Sequence, residues 1–278
     1  MPMVANPVNR VWRYVAAVLL LLFAVFPLYW MLTTSVKPFR EIFVGTPTLF
    51  PHEIVFKSYV DLFIQTNMLR HTANSVYVAL MCTTATLLLS TMVAYSITRY
   101  EHRLTEVVAQ LMLFTYMVPS IVLLIPLYIL LKTLGLINTY TGLVLSYMTF
   151  TLPFAIWMQR SFFQSIPKSL EEAASIDGAN RFQSFFRIVL PQAVPGLIST
   201  ALFVFMLCWG EYLYAQVLLS VEVNKTVPLT LSSLTGGGQN INFGLLMAGS
   251  VVATLPILLI FVLLQKYVLR GFLAGNVD

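Results

Sequence analysis

Glu211 and the aromatic residues beside it are the side chains in this sequence best suited to recognising a small polar molecule. Glu211 lies in an apolar stretch at about 193–219, where a helical rise of ~1.5 Å per residue places it about 13 Å from the far end. An ionised carboxylate that deep in a bilayer costs about 2.5–3.5 kcal/mol, so it should face other helices or a wet cavity. Trp209 and Tyr212 could stack on a sugar ring while Glu211 and Tyr212 hydrogen-bond its hydroxyl groups. Two interpretations stay open: a pore lining that contacts solute, and a buried glutamate satisfied by neighbouring helices.

No other residues in the sequence have the spacing of a catalytic, metal or nucleotide site. Cys82 and Cys208 lie inside apolar stretches without redox or metal-ligand spacing. The run Gly236-Gly237-Gly238 lacks the Lys-Ser/Thr of a phosphate-binding loop. We therefore predict that the chain is not an enzyme and has no catalytic residues, no metal and no cofactor. Any energy from ATP must come through another subunit.

The composition predicts an all-α integral membrane protein. Hydrophobic residues make up 58% of the 278 residues and charged residues only 10%, whereas soluble domains carry about 25% charged residues. A membrane-spanning helix needs about 20 apolar residues. We predict one transmembrane domain over residues 1–278, with six spans at about 13–34, 73–98, 107–131, 140–160, 193–219 and 243–265.

The distribution of Lys and Arg predicts that both termini are cytoplasmic. Ten basic residues lie on the side of the termini and the central loop, against six on the other side, four of which are in the long segment 36–70. Basic residues accumulate in cytoplasmic loops, so the central loop at 167–191 should be cytoplasmic. The net charge of +5 follows from this bias, which predicts a lipid bilayer and no nucleic acid as partner. The first apolar run is long for a signal peptide and has no clear cleavage site, so we expect an uncleaved span.

Residues 167–191 form a polar island between two apolar stretches. Ser169-x-x-Glu172 has the form of a capping box, which predicts a short helix that starts at Ser169. Gly178 after Asp177 predicts the end of that helix, because glycine tolerates the left-handed backbone found at helix C-termini. A second short helix should follow and lead into the next apolar stretch. The pattern predicts a cytoplasmic helix-turn-helix on which another protein could push.

The same segment resembles the EAA loop of the permease subunits of bacterial ABC importers. Glu172-Ala173-Ala174, Gly178 and Ile188-x-Leu190-Pro191 match the residues of that loop and their spacing. In that family the loop docks on a separate ATPase subunit and transmits its motion to the pore. The resemblance implies ATPase-coupling roles for Glu171, Glu172, Ala173, Ala174, Asp177, Gly178, Ala179, Ile188, Leu190 and Pro191.

Further motifs extend the resemblance over nearly the whole chain and narrow it to MalG-type permeases of carbohydrate importers. Trp209-Gly210-Glu211-Tyr212 is similar to that group's Trp-Asn-Glu-Phe/Tyr, with Gly210 in place of the usual asparagine. The other matching segments are Ser35-Val36-Lys37-Pro38, Asn74-Ser75, Tyr95 with Arg99-Tyr100, Pro119 with Pro126, Leu134-Gly135-Leu136-x-Asn138-Thr139, and Arg270-Gly271-Phe272-Leu273-Ala274-Gly275.

The resemblance implies a permease subunit in the inner membrane of a bacterium or archaeon. Its expected partners are a second homologous permease, two ATP-binding subunits and an extracytoplasmic solute-binding protein. The expected solute is a sugar or a sugar derivative, carried past candidate pore residues Trp209, Glu211 and Tyr212 or held by the partner permease. No Lys or Arg lies inside a predicted span, which favours a neutral sugar over a phosphate-bearing solute such as glycerol phosphate. The remaining alternative, an ion-coupled secondary transporter, would need more intramembrane charges and an internal repeat.

Overall fold

The computed structural model describes residues 7–43, 46–100, 102–236 and 241–274, and its regular elements there are all helical. The all-α prediction is therefore confirmed. Gly237, Gly238 and Gly275 of the motifs above lie outside the described residues. The α-helices in chain order are α1 (Pro7–Ser35), α2 (Phe39–Ile42), α3 (Lys57–Gln65), α4 (Met68–Arg99), α5 (Arg103–Met117), α6 (Ser120–Thr133), α7 (Tyr140–Ser165), α8 (Ser169–Ile176), α9 (Arg181–Ser184), α10 (Leu190–Trp209), α11 (Leu213–Leu218), α12 (Val227–Leu234) and α13 (Phe243–Ala274). A π-helical turn (Phe185–Val189) joins α9 to α10, and a 3₁₀ turn (Glu222–Asn224) precedes α12.

Five helices in the described part of the chain are long and apolar enough to cross a membrane, and α5 with α6 supplies a sixth crossing if this bent pair is one span. The six predicted spans therefore all correspond to apolar helices. The five membrane-length helices are Val11–Ser35, Met68–Arg99, Tyr140–Ser165, Arg181–Trp209 and Phe243–Tyr267.

The third predicted span, 107–131, is not one straight helix. α5 and α6 meet at an angle of 102° across a short break. Pro119 causes the break, because a proline ring disfavours helical backbone in the residue before it. Val118 accordingly has φ −73° and ψ 123°, which is extended. Pro126, in contrast, lies inside α6, where the helix continues past it.

The fifth predicted span, 193–219, differs from the structure at its start. Helical backbone begins at Arg181 and continues through the π-helical turn into α10. In that turn the Leu190 N–H donates to the Phe185 carbonyl, five residues back. The turn lies just before Pro191, whose ring would clash with a carbonyl four residues back in a regular helix. The second half of the polar island, from Arg181, is thus continuous with the membrane helix that follows it.

The same span also ends earlier than predicted. α10 ends at Trp209, with Gly210 as its C-cap, and α11 is a separate short helix from Leu213 to Leu218. Glycine is a poor helix former, so the chain can leave the helix at Gly210 at little cost. Glu211 therefore lies in a break between two helices and not within one.

The described chain forms two compact units. The first comprises the described residues of Met1–Met68 and Leu231–Leu255, and the second those of Leu69–Thr230 and Pro256–Asp278. Within the first unit, a Cβ atom on Gly249 would lie only 2.9 Å from the Leu231 side chain, so this glycine permits close packing there. α1 exposes every side chain described from residue 11 to residue 28, which leaves a long apolar surface for lipid or another chain.

The core of the second unit packs α4, α7, the π-helical turn and α10 together. Its buried cluster consists of Ala94, Ile156, Phe163, Ile166, Val189 and Ala193. A Cβ on Gly196 would lie 2.3 Å from the Phe162 ring, so α10 and α7 can approach this closely only at a glycine. Buried hydroxyls of Thr86 and Thr151, 3.0 Å apart, also join α4 to α7. This core carries the polar island, residues 167–191, on one end.

Candidate functional site

The first helix of the polar island, α8, begins without the predicted capping box. Its N-cap residue is Lys168, which is helical with φ −61° and ψ −28° and makes no side-chain cap. The capping box predicts that the Ser169 oxygen accepts a hydrogen bond from the Glu172 N–H. This N–H donates instead to the Lys168 carbonyl at 3.1 Å. Pro167 explains the shift, because it opens the turn and its carbonyl accepts from Leu170 N–H at 3.3 Å. Ser169 is then already inside the helix.

The predicted end of α8 is confirmed. Gly178 has φ +86°, in the left-handed region. The Ala179 N–H donates to the Ala174 carbonyl at 2.9 Å, and the Gly178 N–H donates to the Ser175 carbonyl at 3.1 Å. These two bonds after the C-cap residue Asp177 are those of a Schellman motif. A Cβ at Gly178 would meet nothing within 4 Å, so only backbone strain opposes a larger residue there.

The second short helix, α9, is also confirmed, and it has the capping box that α8 lacks. Asn180 Oδ1 accepts from the Gln183 N–H and Gln183 Oε1 accepts from the Asn180 N–H, both at 2.9 Å. The Asn-x-x-Gln spacing is a sequence signal for such a cap, so this start could have been located from the residues alone. With both ends capped locally, the turn between α8 and α9 has a defined geometry.

Glu171 attaches α8 to the end of α4. Its carboxylate accepts a hydrogen bond from the Tyr95 hydroxyl at 2.6 Å and forms an ion pair with Arg99 Nε. The second guanidinium arm of Arg99 donates to the Ile166 carbonyl at 2.9 Å, just before α8. The Arg99 and Glu171 side chains are only 6% and 17% exposed, which strengthens their interaction relative to a surface pair. Glu171 thus bonds within its own chain, although the sequence groups it with the ATPase-coupling residues.

The opposite side of α8 is open to solvent. Glu172, Ala173, Ile176 and Asp177 are exposed, whereas Ala174 is buried against the rest of the unit. Ile176 is 88% exposed, an unusual setting for an isoleucine on a polar helix. Ile176 belongs to none of the motifs identified in the sequence. The sequence signal that could have identified Ile176 is an apolar residue directly before the Asp177-Gly178 pair that ends the helix.

The remaining coupling residues of the motif lie in a different setting. Ile188 lies in the π-helical turn, and Leu190 and Pro191 begin α10. Their neighbours Val189 and Ala193 are in the buried core. The motif therefore spans two parts, the exposed helix α8 and the start of the membrane helix α10.

The carboxylate of Glu211, the main candidate pore residue, caps the backbone of α11. It accepts from the Tyr214 N–H at 2.8 Å and from the Ala215 N–H at 3.1 Å. Trp209 is 4% exposed and stacks on Phe205, with ring centroids 5.8 Å apart. Of the three candidate pore residues, only Tyr212 is exposed. This arrangement fits the second interpretation of Glu211, a partly buried carboxylate satisfied by protein groups.

The segments after α6 and α11 are joined by Asn138, which sequence analysis gives only as part of a motif. Asn138 has φ 60°, a conformation that asparagine tolerates better than most residues. Its side-chain oxygen accepts from the Ser220 N–H at 2.6 Å and the Val221 N–H at 3.2 Å, and its carbonyl accepts from Asn224 at 2.9 Å. These bonds join the segment after α6 to the segment after α11, and we call the joined segments the Asn138 structure.

Asn74 and His71 hold the start of α4 to the same region. Asn74 Nδ2 donates to the Val223 and Lys225 carbonyls, both at 2.9 Å, and His71 contacts the Thr230 hydroxyl at 2.6 Å. Histidine here is thus a buried structural residue. In the described part of the chain, no three or more His, Cys, Asp or Glu side chains are grouped to hold a metal ion.

Comparison with known proteins gives a family and several close relatives. The family described as "Binding-protein-dependent transport system inner membrane component" matches residues 86–273. The diacetylchitobiose uptake system permease protein DasC of Streptomyces coelicolor is 34% identical, over 97% of this chain and 97% of its own length. The trehalose/maltose transport system permease protein MalG of Thermococcus litoralis is 32% identical, over 96% of each chain.

The fold also resembles that of a solved structure. A chain from the crystal structure of a bacterial ABC transporter involved in the import of the acidic polysaccharide alginate matches with a TM-score of 0.80. The match covers 96% of this chain and 99% of that chain, at 23% sequence identity. At this identity the similarity concerns the fold alone.

Proposed function

The chain belongs to the family of binding-protein-dependent transport system inner membrane components, and we propose that it couples ATP hydrolysis in a partner subunit to the import of a sugar or sugar derivative. It is a permease subunit of an ABC transporter. The alternative of an ion-coupled secondary transporter has no support in these matches.

One observation carries the coupling proposal: α8 is fixed to its own chain on one side and open on the other. Glu171 bonds to Tyr95 and Arg99 of α4, so a force on α8 is transmitted to a membrane helix. The exposed side offers apolar Ile176 between the acidic residues Glu172 and Asp177. We propose that this side docks in a cleft of the ATPase that provides an apolar pocket and basic side chains.

The second route from ATPase to membrane runs through α9. Because α9, the π-helical turn and α10 form one continuous helical segment, displacement of α9 would move α10 directly. The Schellman motif at Gly178 fixes the angle between α8 and α9. The two short helices would therefore move together, with Ala179, Ile188, Leu190 and Pro191 serving the joint and not the docking surface.

The sugar assignment rests on relatives at about one-third identity over nearly the full chain, whose names refer to diacetylchitobiose and trehalose/maltose. The burial of Trp209 and the backbone bonds of Glu211 leave Tyr212 as the exposed member of the candidate pore residues. We propose that Tyr212 contacts solute and that Glu211 and Trp209 hold the break in which it lies. The second permease would supply the rest of the sugar contacts.

The proposed assembly contains a second homologous permease, two ATP-binding subunits and an extracytoplasmic solute-binding protein. The proposed orientation has both termini in the cytoplasm of a bacterium or archaeon, since the basic residues favour that side. In this orientation α8 and α9 face the compartment that contains ATP. The Asn138 structure would then lie on the outer face, where the solute-binding protein docks.

The proposal is tested with the two permeases and two ATP-binding subunits purified together in nanodiscs, to which the solute-binding protein is added. The solute-binding protein is first titrated with a panel of mono-, di- and oligosaccharides and with glycerol phosphate in a calorimeter. We expect binding of a sugar, and we expect the loaded binding protein to stimulate ATP hydrolysis by the assembly. Binding of glycerol phosphate alone would contradict the sugar assignment, and hydrolysis indifferent to loaded binding protein would contradict the permease role.

A further inference from the structure

A cleft runs along α4 beside α9, the π-helical turn and α10, and its chemistry changes from one end to the other. The end at the polar island is a cavity of about 220 Å³ whose charged lining consists of basic Arg99, Lys168 and Arg181 and acidic Glu171 and Glu172. A second cavity of about 300 Å³ shares Tyr95, Tyr100 and Arg181 with the first. A third of about 220 Å³ shares Met92, Phe185 and Phe186 with the second and is otherwise lined by Leu87, Leu88, Thr91, Leu190 and Leu197.

The apolar part of the cleft has the length of one membrane leaflet. From Leu87 to Ser96, both in its wall, α4 rises about 14 Å at ~1.5 Å per residue. One leaflet of the hydrocarbon core is about 15 Å thick. Leu88 and Met92 are each 61% exposed and Phe186 is 55% exposed, so the chain itself leaves this wall uncovered.

The charged end of the cleft has one more basic residue than acidic residues in its lining. Arg99 is paired with Glu171. Arg181, in contrast, is exposed and forms no ion pair with a described carboxylate, although Glu172 lines the same cavity. Its guanidinium lies over the Tyr100 ring, 5.3 Å from the centroid, which holds it at the mouth of the apolar cleft. A positive charge at the head of a leaflet-length apolar groove complements a phospholipid with an anionic headgroup.

We propose that this cleft binds one anionic phospholipid of the cytoplasmic leaflet, with the headgroup phosphate on Arg181 and an acyl chain along Met92, Phe185 and Phe186. The π-helical turn contributes to the site, because it presents the consecutive aromatic residues Phe185 and Phe186, whose ring centroids are 4.9 Å apart, to the same groove. The lipid would then lie between α4 and the segment that we assign to the ATPase, where it would brace α9. The assignment of the leaflet rests on the proposed orientation, whereas the binding itself does not depend on the sugar or on transport.

Photo-crosslinking of the complete assembly in nanodiscs tests the site. The probes are phosphatidylglycerol and phosphatidylcholine, each with a diazirine on one acyl chain, and labelled peptides are mapped by mass spectrometry. We expect phosphatidylglycerol to label the peptides that contain Met92 and Phe186 about fivefold more than phosphatidylcholine does, as one basic residue at the membrane surface implies. Peptides around Phe114 on α5, which is 69% exposed, should take both lipids equally and serve as the internal reference.

Two variants and a matched control separate this site from general attraction to basic residues. Arg181→Gln should lower the labelling ratio at Met92 and Phe186 to that at Phe114. Arg103→Gln, which removes an exposed charge at the start of α5 outside the cleft, should leave the ratio unchanged. Met92→Trp should fill the groove and reduce labelling there by both lipids. Equal labelling of the cleft by the two lipids, equal effects of the two charge variants, or no labelling of the cleft by either lipid would each overturn the proposal.

Discussion

At Glu171 and Glu172, two adjacent carboxylates have opposite surroundings. Glu171 is held by Tyr95 and Arg99, whereas Glu172 is exposed. The chain can therefore divide two tasks between identical side chains, with one attaching the helix to the membrane domain and the other available to a partner. Substitution of each by glutamine separates the two tasks, because it changes charge with little change in shape.

Glu171→Gln should loosen α8. It leaves the nearly buried Arg99 without its ionic partner, and loss of a hydrogen-bonded charge costs about 1–3 kcal/mol. A free-energy change of about 1.4 kcal/mol alters an equilibrium constant tenfold. The backbone amides of residues 169–177 should therefore exchange with solvent about tenfold faster in the purified assembly. Glu172→Gln, the matched control, should leave these exchange rates unchanged and weaken ATPase binding instead. Equal exchange in the two variants would contradict the anchoring role of Glu171.

Gly178→Val should disturb coupling through the backbone alone. A β-branched residue in the left-handed region costs about 1–2 kcal/mol, and no neighbouring atom lies close enough to add a clash. The expected result is less sugar imported per ATP hydrolysed at normal membrane levels. Gly178→Asn is the control, since asparagine adopts this conformation more readily, and its coupling should stay near that of the wild type. Normal coupling in the valine variant would show that the turn does not hold the α8–α9 angle.

Among the helical elements, the membrane helices are interrupted at three places. Pro119 separates α5 from α6, the π-helical turn precedes Pro191, and α10 stops at Gly210. Freed backbone groups inside a membrane must find partners within the protein. The Glu211 carboxylate accepts hydrogen bonds from two such N–H groups at the start of α11. The carboxylate therefore stabilises the break in which it lies.

Removal of the Glu211 carboxylate should therefore destabilise α11 before it affects solute contacts. Glu211→Leu leaves the N–H groups of Tyr214 and Ala215 unpaired, at about 1–3 kcal/mol each. Glu211→Gln keeps one acceptor oxygen and should have a smaller effect. We expect the Tm of the assembly to fall in the order wild type, Gln, Leu. If the leucine variant kept the wild-type Tm but lost uptake, the pore-lining interpretation of Glu211 would hold instead.

Local signals predict the elements well, whereas contacts between distant residues escape them. Apolar runs locate the spans, and Gly178 locates the end of α8, because each depends on its immediate neighbours. The bonds of Glu171 join residues 76 and 72 positions apart, and nothing in a short window indicates them. Ser169 fails as a cap because Pro167 starts the turn earlier. The break at Glu211 escapes detection because the apolar residues before Gly210 and after Tyr212 together have the length of one span.

At the scale of the whole molecule, the orientation in the membrane determines whether α8 can meet an ATPase. Cysteine labelling with an impermeant maleimide checks it in a background where Cys82 and Cys208 are replaced. A cysteine at Ser175, exposed on α8, should react only after the cells are permeabilised. A cysteine at Glu53, exposed in the segment between α2 and α3, should react in intact cells. Labelling of residue 175 from outside would refute both the orientation and the coupling role.

In the proposed mechanism, ATP hydrolysis in a partner subunit drives solute through this permease. The most direct measurement is uptake of the radiolabelled sugar into proteoliposomes that contain the complete assembly, with ATP enclosed and the loaded binding protein outside. We predict uptake that stops when the ATPase is inactivated and continues when ionophores dissipate ion gradients. Uptake that persists without ATP and collapses with ionophores would contradict the account and identify an ion-coupled transporter.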